Sequence, residues 1–221
     1  MLVYGRNVLK ELDKKKVRKI YVSSKELISY LKEEKLKYNL VPKQKLDQMV
    51  SGNHQGIVID IYDYNYYTMN DIDSDFVVIL DHLEDPHNFG AIIRTCECAG
   101  IKNIIIPKDR SVNVNDTVVK VSAGAIEHVK IILVSNLVNA INKLKEMNYF
   151  IYAADMIGED YQTIKYPEKK VLIIGNEGKG ISRLVLDNSD VVVSIPMKGS
   201  INSLNASTSA GILIYGMIRN D

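Results

Sequence analysis

Val191-Val192-Val193-Ser194-Ile195-Pro196-Met197-Lys198-Gly199-Ser200-Ile201-Asn202-Ser203-Leu204-Asn205-Ala206-Ser207 is the stretch whose reading decides the fold. An apolar run stops at a proline, which cannot donate to a strand ladder, and passes into a tract of Gly, Ser and Asn. A helical pattern then resumes from about Leu204 to Ile218. A strand, a tight polar loop and a small-residue helix gather backbone N–H and C=O groups at the carboxyl end of a strand. Open α/β sheets receive ligands there.

The same strand, loop and helix pattern repeats upstream, beginning at Phe76. Phe76–Asp81 reads as a strand. Asn88–Ala99 reads as a helix with Asn88 as its N-cap and Gly100 as its stop. Further strands are expected at Asn103–Ile106, Val129–Val134, Tyr149–Ala154, Val171–Ile174 and Val191–Ile195, with helices at Asn115–Ser122 and Leu137–Met147. Continuous apolar strands alternating with helices predict a mostly parallel sheet covered on both faces.

The first 61 residues alternate shorter elements. Helices are expected at Asn7–Lys14, Ser24–Leu36 and Lys43–Val50, and strands at Arg18–Val22, Tyr38–Val41 and Gly56–Ile61. Residues 62–75, rich in Tyr, Asn and Asp, read as a linker between this small α/β domain (1–61) and the larger one (76–221). The linker tyrosines could stack on bases or pack against a domain surface.

Net charge divides along the same line. Residues 1–50 hold 13 Lys/Arg against 6 Asp/Glu, while the rest hold 15 against 21. The overall charge of +1 therefore hides a basic N-terminal part and an acidic remainder. Such asymmetry fits contact with a polyanion, or equally a solvated lysine-rich face.

With 46% apolar and 25% charged residues, the chain has the makings of an ordinary core. Its opening, Met1-Leu2-Val3-Tyr4, shows no basic segment followed by an apolar stretch, so a signal peptide is not expected. No run approaches the roughly 20 apolar residues of a membrane span. Cys96 and Cys98 would face different sides of one helix, which predicts reduced structural thiols in a cytoplasmic protein. His54, His82, His87 and His128 form no recognisable ligand set, so no metal is expected.

Three loops follow strands of the larger sheet. The first, Leu80 to Thr95, carries Asn88 and Arg94. The second is Gly175-Asn176-Glu177-Gly178-Lys179-Gly180. Its G-x-x-G-x-G spacing is neither the dinucleotide fingerprint nor a Walker loop. The third is the opening stretch, where Ser203 and Asn205 could simply cap the last helix. Loops that follow strands of one sheet can converge at one edge.

Together these blocks closely resemble the SpoU (TrmH-like) class of SPOUT methyltransferases, from about Phe76 onward. Tyr4-Gly5-Arg6-Asn7-Val8 and His54-Gln55-Gly56-Ile57 are similar to the opening and closing signatures of a substrate-binding module in one branch of that class. The resemblance implies a trefoil-knotted sheet, a homodimer, and methyl transfer from S-adenosylmethionine to a ribose 2′-hydroxyl of RNA. It implies that Gly175, Ile195, Met197 and Leu204 hold the cofactor. Glu177, Ser203 and Asn205 would shape the catalytic site, with Asn88 and Arg94 facing the RNA. A guanosine of large-subunit (23S) ribosomal RNA is the favoured substrate, with transfer RNA second. A non-catalytic RNA-binding or ribosome-assembly protein is the competing class.

Overall fold

The computed structural model describes residues 1–201 and 203–219. It contains, in chain order, β1 (Leu2–Tyr4), α1 (Arg6–Glu11), β2 (Val17–Val22), α2 (Lys25–Glu33), β3 (Asn39–Leu40), α3 (Lys43–Met49) and β4 (Ile57–Ile61). There follow β5 (Phe76–Asp81), α4 (Pro86–Cys98), β6 (Asn103–Pro107), α5 (Asp116–Val121), β7 (Lys130–Val134) and α6 (Leu137–Glu146). The chain continues through β8 (Phe150–Asp160), β9 (Lys170–Gly175), α7 (Arg183–Asp187), β10 (Val191–Ser194) and α8 (Ala206–Arg219). The first four strands form one sheet in the order β1-β4-β2-β3, and the other six form a second in the order β10-β8-β9-β5-β6-β7. Every pairing in the six-stranded sheet is parallel.

The continuous apolar strands are explained by what covers each face. In β5 the side chains alternate: Phe76, Val78 and Leu80 pack with Phe89, Ile92 and Ile93 of α4 and with Leu213 and Ile214 of α8. Val77 and Ile79 enter a second cluster with Leu137, Ile141 and Leu144 of α6. Both faces are therefore dry, and each fully buried Val, Leu or Ile contributes about 1.5–3 kcal/mol. The α/β expectation with helices on both faces is borne out.

Several boundaries differ from the sequence reading. α4 begins at Pro86, capped by Asp85, whose side chain accepts from the His87 backbone N–H. Asn88 is therefore not the N-cap. Proline with its fixed φ suits the first helical position and moves the start two residues upstream. β8 runs on past Ala154, but its ladder with β10 jumps from Ala153 to Glu159, so residues 154–158 leave the register. Strand β1 and helix α7 are too short for periodicity to reveal. Gly100 ends α4 as expected, with φ 77°.

The smaller sheet is fastened to the larger unit. Lys16 Nζ lies 2.7 Å from Glu127 Oε2, and Lys120 Nζ sits 4.6 Å from the Tyr4 ring centroid. The linker tyrosines join in. The Tyr64 hydroxyl donates to Val129 O and accepts from Ile131 N, while Tyr66 accepts from Val114 N. Burial raises both phenols above their usual pKa. Tyr67 adds a parallel bridge to Ile132 beside β7. Packing, not exposed stacking, is what Tyr64 and Tyr66 do here.

At this junction Gly124 has φ 94°, and a Cβ on it would lie 2.4 Å from Glu11 Cβ. Gly124→Ala combines left-handed strain with a collision between the two units. It is expected to destabilise the protein by about 1–3 kcal/mol, read by denaturant unfolding. An unchanged midpoint would contradict this account of the junction.

Candidate active site

The carboxyl ends of β5 and β9 lie side by side, with Asp81 paired to Gly175 in the ladder. Beyond Gly175 the chain turns at once. Asn176 and Gly180 exchange two backbone hydrogen bonds of 3.0 and 2.9 Å. A Cβ on Gly175 would meet the Gly180 backbone at 2.3 Å, so only glycine lets the loop fold back on its own strand. The Asn176 carboxamide stiffens it further, accepting from the Gly178 and Lys179 N–H groups and donating to His82 O.

This loop forms one wall of a cavity of about 330 Å³. Gly175 through Gly180 line it, opposite Ile195, Met197, Ser203 and Leu204 of the loop between β10 and α8. Ile174, Val193 and Leu213 close the floor, and Asp155 and Met156 come from the irregular part of β8. The volume is within the range of small-molecule sites, and a mainly apolar floor with a polar rim is typical of them.

One chain of hydrogen bonds ties the three loops together. Glu177 Oε1 accepts from Asn88 Nδ2 at 3.0 Å and from the Asp85 N–H at 3.2 Å, while Oε2 receives the Glu84 N–H at 3.4 Å. Asn88 Oδ1 in turn accepts from Asn205 Nδ2 at 2.9 Å. The Asn205 Oδ1 also accepts from the N–H groups of Ser207 and Thr208. Asn205 therefore caps α8 and holds Asn88 at the same time.

Of the residues singled out from sequence, Gly175, Glu177, Ile195, Met197, Ser203 and Leu204 line the cavity. Asn88 and Asn205 stand behind it through the hydrogen bonds just described. Arg94 is elsewhere: six positions after the buried Asn88 on α4, it is exposed, and it does not line the cavity. Among the described residues its guanidinium has no ion pair or hydrogen bond. Sequence reasoning passed over Asn176, Asp155, Met156 and the pair Asp81-His82. Asp81 carried a readable signal, being a carboxylate at the end of an otherwise apolar strand. Asp155 and Met156 reach the cavity only because β8 leaves its ladder, which no pattern announces.

No group of three or more His, Cys, Asp or Glu among the described residues could hold a metal ion. Among the same residues, no helix is long and apolar enough to cross a membrane.

Comparison with known proteins gives this geometry its relatives. Residues 75–215 match the SpoU rRNA methylase family, and residues 2–67 match the RNA 2′-O ribose methyltransferase substrate-binding family. YacO of Bacillus subtilis (strain 168), provisionally named a TrmH-family tRNA/rRNA methyltransferase, is 37% identical over 98% of this chain and 94% of its own. The SpoU methyltransferase AviRb from Streptomyces viridochromogenes, solved with the cofactor AdoMet, shares the fold. Its TM-score is 0.84 at 22% identity, over 99% of this chain and 89% of that one. An AdoMet-bound rRNA methyltransferase from Sinorhizobium meliloti gives a TM-score of 0.83 at 24% identity, over 99% and 86%. By matches that cover nearly its whole length, this chain belongs to the SpoU (TrmH) family of RNA methyltransferases.

Proposed function

We propose that the protein transfers a methyl group from S-adenosylmethionine to a ribose 2′-hydroxyl of RNA, and that a guanosine of large-subunit (23S) ribosomal RNA is its substrate. The observation that carries the reading is the cavity joined to Arg94's helix by the Glu177–Asn88–Asn205 bonds. The residues present fit the cofactor: an apolar floor for a flat base, backbone N–H and C=O groups for a ribose, and hydroxyls at Ser203 and Ser209. Gly175, Ile195, Met197 and Leu204 are assigned to holding it. When bound, S-adenosylmethionine supplies an electrophilic methyl on a sulfonium.

The remaining work falls to side chains. Glu177 and Asn88 set the loop and helix that must present the two reactants to each other. In this reading Arg94, which is exposed and whose guanidinium has no ion pair or hydrogen bond among the described residues, holds an RNA phosphate and stabilises charge growing on the 2′-oxygen. A guanidinium stays protonated in proteins, so the 2′-proton passes to a phosphate oxygen or to water. The basic first 50 residues then serve as a phosphate-binding surface, with the working division 1–61, 62–75 and 76–221.

The trefoil knot, the cytoplasmic location and the homodimer belong to the same reading. Met156, Ile157, Ile201 and Tyr215 are large apolar residues left exposed, which favours a second copy covering them; light scattering tests this. Transfer RNA is the alternative substrate. Failure to bind S-adenosylmethionine would revive the reading of a non-catalytic RNA-binding or ribosome-assembly protein.

The deciding experiment is transfer of labelled methyl to unmodified ribosomal and transfer RNA, followed by nucleoside mass spectrometry. 2′-O-methylguanosine in ribosomal RNA alone is expected. Label confined to transfer RNA would overturn the substrate, and label in neither RNA the activity. Arg94→Ala is expected to lower turnover by a factor of about 10² or more with cofactor affinity nearly unchanged. Arg94→Lys should recover little, because the ammonium lacks the bidentate fork; near-wild-type turnover would refute that role. Lys15 and Lys19, exposed and without an ion pair among the described residues, offer the third check. Changing both to Ala should weaken RNA binding and flatten its log–log salt dependence by about 1–2 units. A salt slope equal to wild type would remove these lysines from the RNA surface.

A further inference from the structure

Asp81 ends β5 with its side chain 1% exposed, and it does not line the cavity. A carboxylate removed from water to that degree must be matched by hydrogen-bond donors. Two groups meet it. Oδ2 accepts the Ser182 backbone N–H at 2.6 Å, and Oδ1 lies 2.5 Å from His82 Nδ1. Ser182 is the residue at which the glycine loop ends and α7 begins. His82 has φ 57°, a left-handed conformation uncommon for a residue with a side chain. That conformation coincides with a ring bonded to Asp81 and a carbonyl that accepts from Asn176 Nδ2 at 2.8 Å.

The loop from Gly175 to Ser182 is thereby pinned at both ends from a neighbouring strand. Asn176 is held at its start by the His82 carbonyl, and Ser182 at its finish by the Asp81 carboxylate. Between these anchors lie Glu177, Gly178, Lys179 and Gly180, all cavity-lining. Among the described residues, no other hydrogen bond joins the far end of this loop to β5.

We propose that Asp81, acting with His82, is the positioning residue of the methyl-donor loop. Its carboxylate fixes the ends of residues 175–182, so that their backbone presents one pre-formed wall to the donor. The donor's identity rests on the reading given under Proposed function, whereas the pinning itself does not. Asp81 touches neither donor nor RNA and acts only through Ser182 and His82. Pre-forming a wall lowers the ordering cost of binding, so its loss falls on donor affinity rather than on chemistry.

The test is hydrogen exchange of the Gly178, Lys179 and Gly180 amides in the full chain without donor, comparing wild type with Asp81→Ala and Asp81→Asn. In the alanine variant these amides should exchange about tenfold faster or more, although none of them bonds to Asp81. Asp81→Asn can still accept the Ser182 N–H on its carbonyl oxygen and should fall between. It also serves if the alanine variant does not fold. KM for S-adenosylmethionine should rise about tenfold with kcat within about threefold. A merely structural role would lower thermal stability and the active fraction while leaving KM in place. Wild-type exchange at the three amides in either folded variant would overturn the proposal. If wild-type protein fails to bind S-adenosylmethionine, the donor assignment falls, and the exchange result alone decides whether Asp81 pins the loop.

Discussion

The site depends on one carboxylate accepting from groups that sequence keeps far apart. Glu177 receives the Asp85 N–H and the Asn88 carboxamide across 92 and 89 positions of chain. The acidic side chain thereby meets the first turn of α4, where unpaired N–H groups and the helix dipole favour negative charge. The link continues from Asn88 to Asn205, which caps α8. Two helix starts and a glycine loop thus share a single hydrogen-bonded chain. Removing Glu177 or Asn205 leaves an atom of the buried Asn88 carboxamide without its partner, at a cost of about 1–3 kcal/mol.

This network changes the meaning of several residues recognised by motif. Asn88, Glu177 and Asn205 were expected to act on the reactants or shape their site. Their side-chain hydrogen bonds are to one another and to helix ends, which ties the loops around the cavity together. A single Asn205 carboxamide does two things, since its oxygen caps α8 while its nitrogen reaches Asn88. Arg94 differs: it is exposed, and among the described residues its guanidinium has no ion pair or hydrogen bond.

The fold was legible wherever a physical period ran long enough. The apolar strands Phe76–Asp81 and Val171–Ile174 and the helix Leu137–Met147 were read nearly to their observed limits, because burial on two faces or on one stripe writes itself into composition. Three-residue β1 and five-residue α7 are shorter than any such period. The start of α4 was misplaced because Asn88 and Asp85 are both good caps, and only Pro86 distinguishes them. In the site, motif residues on loop tips could be named, but partners could not. The departure of β8 from its ladder and the anchoring of residues 175–182 by Asp81 arise from contacts between strands, which leave no local trace.

The junction between the two units bears on how an RNA could be held. A flexible linker would let the basic module sample many positions and would couple it only weakly to the cavity. Here the linker is instead bonded along β7 through Tyr64 and Tyr67 and to the Val114 N–H through Tyr66, and Lys16 and Lys120 reach across to Glu127 and Tyr4. Each contact is small, since surface ion pairs contribute about 0–1 kcal/mol and cation–π contacts about 0.5–1 kcal/mol at exposed sites. Their number, and the close approach at Gly124, fix the relative placement more than any one of them. Under the proposed function a fixed placement would act as a ruler: an RNA bound by the basic module would present to the cavity only those riboses lying at the matching distance. Substrate choice would then be set by the shape of the RNA between two points, with the chemistry itself indifferent to sequence.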